Sequence, residues 1–568
     1  MKNVFIAVGG SGTKVAEALV RLLAVGFPTR KENGVLTSAG DTLQIWRIDP
    51  DRSSGAAVAL QNCLKEYGEL QRRLSDDQSP PGVASSRWAM DVDLRVRNLD
   101  PLQLPRAADN DNEIRTLRGV LDSRYSGRKS SLPLLAPFYE EKDLDVTIDR
   151  GFYQKPFIGA AVMAIFANSL ADENSPGGRE ASLTAFNNNQ VNFFLCGSLH
   201  GGTGACGVPI MGKFLGGRKN ASPHWGWRVG ACLLAPYCVP PQPPFKALED
   251  DESIDSQMID ALLQRHNDEP AFTALTQDEE KRDLIKQILR GFYADPDDME
   301  ARARQGLSYY KDHSADYFDE LYLVGKPEPD KLGVWSNGGN SQRNPLNSAE
   351  VVAALAALNF FSVSNTGNPQ SYLIGASTGD LASGRMNLHQ LPQYRLSHDG
   401  GGDEIDPERV FLATSVLRHL LLHQIRWETR AKDWTDIEGL RGIYKDNESK
   451  KVADYAHYKE AFILLDRFLG SVIDPQLTRG WSGADAAQLY ELLSDDPRTV
   501  KELSAKLAKK MLGLSKEAKG SLSLGHSSIK VTTFDFGEWH PAAGQFGRGE
   551  YLRYVWSQLY NRSQPLAT

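Results

Sequence analysis

Residues 200–209 of this chain read His200-Gly201-Gly202-Thr203-Gly204-Ala205-Cys206-Gly207-Val208-Pro209, and no other stretch of the sequence is as informative. The residues before it, 191–196, are mostly apolar and β-branched or aromatic, which is typical of a strand buried on both faces of a parallel sheet. The residues after it, 208–215, predict a helix whose first turn accommodates Pro209, because the missing N–H is no loss there. The sequence therefore predicts a glycine-rich loop between a buried strand and a helix.

The N-terminus has the same arrangement. Residues 3–8 form an apolar run that predicts a buried strand, and Gly9-Gly10-Ser11-Gly12-Thr13 follows directly. Residues 43–48 predict a second strand, which ends at Asp49-Pro50. Between them, apolar residues recur at helical spacing on one face, at Val15, Ala18, Leu19, Leu22 and Leu23. Strand, glycine loop, helix and strand make one right-handed crossover unit.

Two glycine loops of this kind indicate a phosphate-binding site. Phosphates need backbone N–H donors at close range, and a glycine has no Cβ to keep the backbone away. The N-terminus of the following helix adds unpaired N–H groups and a partial positive charge that favour an anion. The sequence thus predicts that both loops contact a nucleotide.

Composition limits the class of protein. With 568 residues the chain is long enough for two or three folding units, and 41% hydrophobic with 24% charged residues is typical of a globular protein. A net charge of -8 without a Lys/Arg block gives no support to a nucleic-acid-binding face. The five cysteines lack metal-ligand spacing and fit reduced thiols of the cytoplasm. No apolar run approaches the ~20 residues of a membrane span, and no secretion signal is evident, so we expect a soluble cytoplasmic protein.

The remaining elements are less evenly defined. Strands are predicted at residues 227–235, 321–324 and 372–375, and a proline cluster that begins at Pro236-Tyr237 ends the first of them. Residues 159–170 are helix-like, two polar helices fit 255–293, and 349–361 predicts an apolar helix with Ser348 as N-cap and Glu350 in its first turn. Residues from about 51 to 190 are interpreted as insertions on the sheet.

The C-terminal third has a different sequence pattern. Helical patterns occupy residues 410–427, 455–469 and 500–512, and a strand is predicted at 529–536. A glycine-rich polar run at 397–406 is a candidate boundary. We therefore divide the chain into residues 1–400, a nucleotide-binding α/β domain, and 401–568, a mainly helical region.

The first loop alone leaves other site types open. Gly10-Ser11-Gly12 is compatible with a dinucleotide-binding fold in which Asp49 contacts the ribose. Val15 replaces the third glycine of that fingerprint, however, and Asp49 lies beyond its usual spacing of ~20 residues. Gly12-Thr13-Lys14 does not complete a P-loop either. A dinucleotide-dependent oxidoreductase remains an alternative, but it leaves the second loop without a role.

The run at residues 200–209 resembles the G-G-G-T-G-[ST]-G signature of the tubulin/FtsZ superfamily, including the proline that follows it in FtsZ. The strand before it, the opening residues 4–13 and the Pro236-Tyr237 dipeptide fit the same order of elements. The resemblance covers residues 1 to about 376 in outline, and the chain looks closer to the divergent bacterial tubulin-like proteins than to tubulin or FtsZ themselves. The resemblance implies an α/β fold: a parallel-sheet GTPase domain followed by an α-rich C-terminal region.

The resemblance also implies a set of nucleotide contacts. The first loop would border the α- and β-phosphates, and the second would hold the β- and γ-phosphates of GTP or GDP. Asp49 would lie near a Mg²⁺ ion or its waters, and Pro236-Tyr237 would contact the ribose. Spacing alone does not distinguish GTP from ATP. The residues concerned are Gly9, Gly10, Ser11, Gly12, Thr13, Asp49, Gly201, Gly202, Thr203, Gly204, Ala205, Pro236 and Tyr237.

Two departures from the family pattern keep the function open. His200 and Cys206 replace signature glycines, and a side chain there is expected to narrow the loop or change its dihedral angles. The acidic runs at 249–252 and 295–298 lack the family's N-x-D-x-x-D pattern, so no catalytic residue is assigned. One interpretation is a slow GTPase that self-associates into oligomers or filaments. The other is a non-hydrolysing switch or scaffold that docks partner proteins through its C-terminal helices.

Overall fold

The computed structural model describes residues 2–24, 30–32, 35–37, 41–74, 92–102, 116–122, 130–242, 295–325, 329–332, 344, 346–362, 369–374, 394–398, 401–405, 522–524 and 527–529. Within these residues the main feature is a seven-stranded sheet in which every neighbouring pair is parallel. Helices cover the sheet. The expected α/β class with a parallel sheet is therefore confirmed.

The sheet reverses its winding at the centre. In chain order its strands are β1 (Lys2–Val8), β2 (Asp41–Ile48), β3 (Val92–Leu99), β4 (Val191–Ser198), β5 (Trp227–Leu234), β6 (Glu320–Val324) and β7 (Gln370–Ile374). Across the sheet they lie in the order β3-β2-β1-β4-β5-β6-β7. The reversal falls between β1 and β4, and open α/β sheets bind ligands outside the carboxyl ends of the strands at such a point.

Helices pack on both faces of the sheet. They are α1 (Gly9–Ala24), α2 (Gly55–Leu74), α3 (Leu117–Asp122), α4 (Leu132–Leu135), α5 (Glu141–Leu144), α6 (Pro156–Ser169), α7 (Pro176–Ala181), α8 (Gly202–Ala221), α9 (Met299–Tyr317) and α10 (Ser348–Ser362). Helix α1 packs against α2 and α10, whereas α8 packs against α6 and α9.

Successive side chains of the central strands pack on opposite faces of the sheet. Val4 and Ile6 of β1 belong to the apolar cluster that contains Met211 of α8. Phe5, between them in sequence, stacks on Phe194 at 6.1 Å between ring centroids, and Phe194 lies 5.4 Å from Phe360 of α10. This two-sided burial explains why most residues of β1, β4 and β5 are apolar.

The two glycine segments belong to helices. Helices α1 and α8 begin at Gly9 and Gly202, so the glycines form first turns where the sequence predicted loops. Pro209 consequently lies inside α8, and its predicted place in the first turn is wrong. In the described residues 201–212 no glycine has a positive φ, so these positions need a missing Cβ and not an unusual dihedral angle. Cys206 is accommodated in ordinary helical backbone for the same reason.

The start of α10 also differs from the prediction. Asn347, not Ser348, is the N-cap: its Oδ1 accepts the N–H of Ala349 at 3.0 Å. The Glu350 carboxylate accepts the N–H of Asn347 at 2.7 Å, which completes a reciprocal capping box. The predicted first-turn position of Glu350 is confirmed.

The described residues also contain four two-stranded ribbons. They pair Arg30–Glu32 with Val35–Thr37, Cys238–Val239 with Asp330–Lys331, Tyr394–His398 with Gly401–Ile405, and Leu522–Leu524 with Ser527–Ile529. The predicted helices at 255–293, 410–427, 455–469 and 500–512, and nearly all of the strand at 529–536, lie outside the described residues. No helix of the described part is both long and apolar enough to span a membrane.

Candidate functional site

A cavity of about 670 Å³ lies where helices α1 and α8 begin. Its wall includes Gly9, Gly10 and Ser11 from the start of α1 and Gly201 to Gly204 from the start of α8. The two starts touch each other, since a Cβ built on Gly9 would lie 3.3 Å from the backbone N of Gly204. The fold thus brings the two glycine segments of the sequence into one site.

At the start of α1 the glycines have three different roles. Gly9 has a φ of +73°, a left-handed conformation that side chains rarely adopt. Gly10 faces open space, with nothing within 4 Å of a Cβ built on it. Gly12 packs against the sheet, because its Cβ would lie 2.4 Å from the carbonyl oxygen of Cys196. Neither close packing nor a positive φ requires glycine at position 10, where the backbone faces open space.

At the start of α8 the glycines are all tightly packed. A Cβ on Gly202 would lie 2.7 Å from the carbonyl carbon of Phe152, and one on Gly204 would lie 2.7 Å from the backbone N of Ser198. The helix N-cap, Gly201, supplies no side-chain cap, and the first turn contains no acidic residue. The first turn of α1 also lacks an acidic residue. Two helix N-termini with unpaired N–H groups therefore face one cavity, and together they favour an anion.

Lys14 lines the cavity wall, where its charge is paired with Glu350 of α10. The Lys14 Nζ lies 3.0 Å from Oε1 of Glu350, and the Tyr237 hydroxyl donates to the same oxygen at 2.7 Å. Glu350 is fully buried, and this burial raises the pKa of its carboxyl although the nearby Lys14 acts in the opposite direction. The network ties α1, α10 and the segment after β5 to one another. It fixes Tyr237 at the cavity wall.

Two carboxylates line the cavity at the end of β2. Val8 pairs with Ile48, so Asp49 follows at the level of Gly9. Asp49 is 5% exposed, and burial raises the pKa of its carboxyl to about 7 although Arg47, 3.5 Å away, opposes the shift. Asp51 is equally buried, and its backbone N–H donates to Asp49 Oδ1 at 3.2 Å. Among the described residues no group of three or more His, Cys, Asp or Glu side chains forms a metal site made by protein alone.

A segment that the sequence reading did not identify forms another wall. Arg150, Gly151, Phe152, Tyr153 and Gln154 all line the cavity. Gly151, Tyr153 and Gln154 have positive φ values of 109°, 47° and 56°. Such conformations cost of order 1–3 kcal/mol each in a residue other than glycine and concentrate at functional sites.

Contacts from distant parts of the chain hold this segment. Arg302 of α9 donates to the carbonyl oxygen of Gln154 at 3.0 Å, and the Tyr153 hydroxyl donates to the carbonyl oxygen of Thr147 at 2.7 Å. Phe152 lies directly over Gly202. The sequence offers one signal there, Gly151, in a stretch without periodicity, so it does not predict this segment.

Most of the predicted site residues lie at the cavity. Those in its wall are Gly9, Gly10, Ser11, Asp49, Gly201, Gly202, Thr203, Gly204 and Tyr237. Those outside the wall are Gly12, Thr13, Ala205 and Pro236. Thr13 is fully buried and its hydroxyl donates to the carbonyl oxygen of Gly9 at 2.9 Å, while the Ala205 N–H donates to the carbonyl oxygen of Gly201 at 3.1 Å. The Thr13 hydroxyl and the Ala205 N–H therefore form hydrogen bonds within their own helices. The wall also includes His200 and Cys238.

Comparison with known proteins gives no family assignment. No family model matches the chain, and no curated protein matches it. One solved structure that it resembles is described as CetZ2 from Haloferax volcanii in a GTPγS-bound protofilament, at 15% sequence identity. The match covers 64% of this chain and 61% of that chain, with a TM-score of 0.24. The chain thus spans less than two thirds of that structure, and so low a TM-score says nothing about what this chain binds.

Proposed function

We propose that this chain binds the phosphates of a guanine nucleotide in the cavity between α1 and α8. The observation that carries the proposal is the convergence of two helix N-termini, neither with an acid in its first turn, on one cavity that Lys14 also lines. Backbone N–H groups and helix dipoles at such a place stabilise phosphate. A volume of about 670 Å³ falls within the range of cofactor sites, ~300–1,000 Å³.

Guanine as the base, and the tubulin-like nature of the site, rest on the resemblance of residues 200–209 to the superfamily signature. The order of two glycine segments, each at the start of a helix that follows a buried strand, supports it. We further propose that the protein is cytoplasmic.

Magnesium fits the donor set. Mg²⁺ is usually held by one or two carboxylates together with phosphate oxygens, and Asp49 and Asp51 line the same cavity as the helix N-termini. The raised pKa of Asp49, which follows from its burial, is what a nearby cation would offset. When bound, the ion would neutralise part of the phosphate charge.

Slow hydrolysis coupled to self-association is the fuller form of the proposal. Its alternative is a nucleotide-bound switch or scaffold without turnover, which docks partner proteins through residues 401–568. Turnover per molecule that rises with protein concentration supports a shared, assembled site, whereas absent turnover at all concentrations with intact binding supports the switch.

A dinucleotide-dependent oxidoreductase is the weaker alternative. The strand order around β1 and β4 suits it, but it assigns nothing to the start of α8. A nicotinamide or flavin absorbance in the purified protein would favour it.

The experiment that tests nucleotide binding compares two glycines with open surroundings. Gly10 and Gly68 both have nothing within 4 Å of a Cβ, and only Gly10 lines the cavity. The protein is stripped of ligand and titrated with GTP, GDP and ATP in Mg²⁺. Gly10→Asp, which places a carboxylate at the phosphate site, is expected to weaken guanine-nucleotide binding by about tenfold or more, ~1.4 kcal/mol or more.

Gly68→Asp is the matched control and is expected to leave binding unchanged. An acid at Gly10 lies at a helix N-terminus, where it favours the helix, so Gly10→Asp is expected to fold. Equal binding by Gly10→Asp and the parent, or no guanine-nucleotide binding by a folded parent, contradicts the proposal.

A further inference from the structure

Arg302, in the first turn of α9, is bonded to the end of the cavity wall formed by Arg150 to Gln154. Its Nη1 donates to the carbonyl oxygen of Gln154 at 3.0 Å and to Gln154 Oε1 at 3.1 Å. Its Nη2 donates to Oδ2 of Asp298, one helical turn earlier, at 2.8 Å. Because a guanidinium presents its donors in one rigid plane, these bonds fix the orientation of Gln154 as well as its distance from α9.

The wall has a backbone conformation that needs such a contact. Tyr153 and Gln154 have φ values of 47° and 56°, which side chains other than glycine rarely adopt. Residues in this region persist when the surrounding structure holds them there. The Tyr153 hydroxyl ties the wall to the carbonyl oxygen of Thr147, and Arg302 ties it at Gln154. Loss of the Arg302 bonds therefore favours relaxation of the wall.

The same wall lies directly against the start of α8. A Cβ built on Gly202 would lie 2.7 Å from the carbonyl carbon of Phe152, and one built on Gly151 would lie 3.7 Å from Thr203 Oγ1. Gly202 and Thr203 line the cavity and belong to the first turn of α8, whose N–H groups favour an anion. A shift of the wall would therefore change the shape of the site that α8 offers to phosphate.

We propose that Arg302 is a positioning residue for the nucleotide phosphates: it holds the wall in the conformation that α8 needs in order to bind them. Arg302 itself does not line the cavity, so it acts through Gln154. The inference rests on the proposed function and extends the site to α9, which contains neither glycine segment. With Arg302 in place the wall is ordered before the ligand arrives. Without Arg302 the ligand must order the wall as it binds, and affinity falls.

Arg304 provides a matched control on the same helix. Its Nη2 bonds Glu300 Oε1, four residues earlier, at 2.5 Å, and its side chain is 77% exposed. Dissociation constants for GDP and guanosine are measured in Mg²⁺ with the full chain. Arg302→Ala is expected to weaken GDP binding about 5- to 30-fold, and Arg304→Ala less than about twofold. Arg302→Lys keeps a charged donor and is expected to remain within about threefold of the parent.

Guanosine has no phosphate, and its affinity is expected to change less than about twofold in every variant because the wall acts on the start of α8. Equal GDP affinity of Arg302→Ala and the parent overturns the inference and leaves the proposed function intact. An equal loss for guanosine and GDP also overturns it, because the substitution then damages the whole cavity. Arg302→Lys that binds GDP as weakly as Arg302→Ala contradicts the role given to the donor.

Hydrogen exchange tests the positioning itself, independently of affinity. Without ligand, amides of residues 151–155 are expected to exchange about tenfold faster in Arg302→Ala than in the parent, and saturating GDP should restore the parent's rate. Amides of β4 should exchange equally in both proteins, and faster exchange there would indicate general destabilisation and overturn the inference. Unchanged exchange at 151–155 also overturns it. If the folded parent binds no guanine nucleotide, the proposed function fails, whereas exchange still shows whether Arg302 holds the wall.

Discussion

The starts of α1 and α8 look alike in sequence but use glycine differently. In α8, Gly202 and Gly204 are closed in by the backbone of Phe152 and Ser198. In α1, Gly12 is closed in and Gly9 has a positive φ, whereas Gly10 faces open space at the cavity. A glycine-rich run at a helix start can thus serve tight packing or ligand access. The sequence cannot separate the two, since both require the same missing Cβ.

The largest expected difference between the two helix starts is in the free energy of unfolding. Gly204→Val would place a branched side chain against the backbone of Ser198, and we expect a loss of about 3 kcal/mol or more in the free energy of unfolding. Gly10→Ala has open space and is expected to change it by less than about 0.5 kcal/mol. Urea unfolding followed by circular dichroism measures both. Equal destabilisation by the two substitutions would remove the distinction between the helix starts.

The two helix starts also differ in how nearby groups respond to pH. Asp49, beside the start of α1, has a pKa raised to about 7 from 3.8 because it is buried. The folded state therefore binds more protons than the unfolded state between about pH 4 and 7, and stability falls as pH rises through that window. His200, beside the start of α8, has a pKa lowered to about 4 from 6.5 by burial. Here the unfolded state binds more protons, and stability falls as pH drops from about 6.5 to 4.

Single substitutions should distinguish these two opposite dependences of protein stability on pH. Asp49→Asn is expected to gain about 1–3 kcal/mol relative to the parent at pH 8 and little at pH 4. His200→Asn is expected to gain relative to the parent only as the pH falls below about 6.5. Urea unfolding of the ligand-free proteins at pH 4.5, 6 and 8 measures both. Parallel pH profiles for parent and variants would contradict the assigned burial of these groups.

The smallest effect concerns a cysteine at the cavity wall. Cys238 is half-buried and lines the cavity, whereas Cys63, Cys196, Cys206 and Cys232 are buried. Burial also raises the pKa values of Cys63 and Cys206, which disfavours the reactive thiolate. A maleimide should therefore label Cys238 first, and GDP at ten times its Kd should slow this labelling about tenfold. Cys238→Ser is the control. Labelling that is insensitive to GDP would place the nucleotide elsewhere.

What the sequence predicts well is local. The sequence predicts β1, β4 and β5 because strands buried on both faces are mostly apolar, and it predicts the crossover around Gly9 from the helical spacing that follows. The glycines before residue 208 indicate a loop in the sequence, so the predicted helix begins later than the observed start of α8 at Gly202. Glycine in a first turn costs a helix little when the missing Cβ allows close packing.

What the sequence does not predict depends on distant contacts. The wall at Arg150 to Gln154 exists because α9 and Gly202 hold it in place, and no local pattern records that. Asn347 and Ser348 are both good N-cap residues by type, and only the contacts of Asn347 in the fold decide between them.

The most direct test of the account is an experimental structure of the protein with GDP and Mg²⁺. The account predicts phosphate oxygens within hydrogen-bonding distance of backbone N–H groups at the starts of both α1 and α8. It also predicts Asp49 or Asp51 near the ion. Phosphates that contact only one helix start, or a nucleotide bound outside this cavity, would contradict the central claim that the two helix starts form one phosphate site.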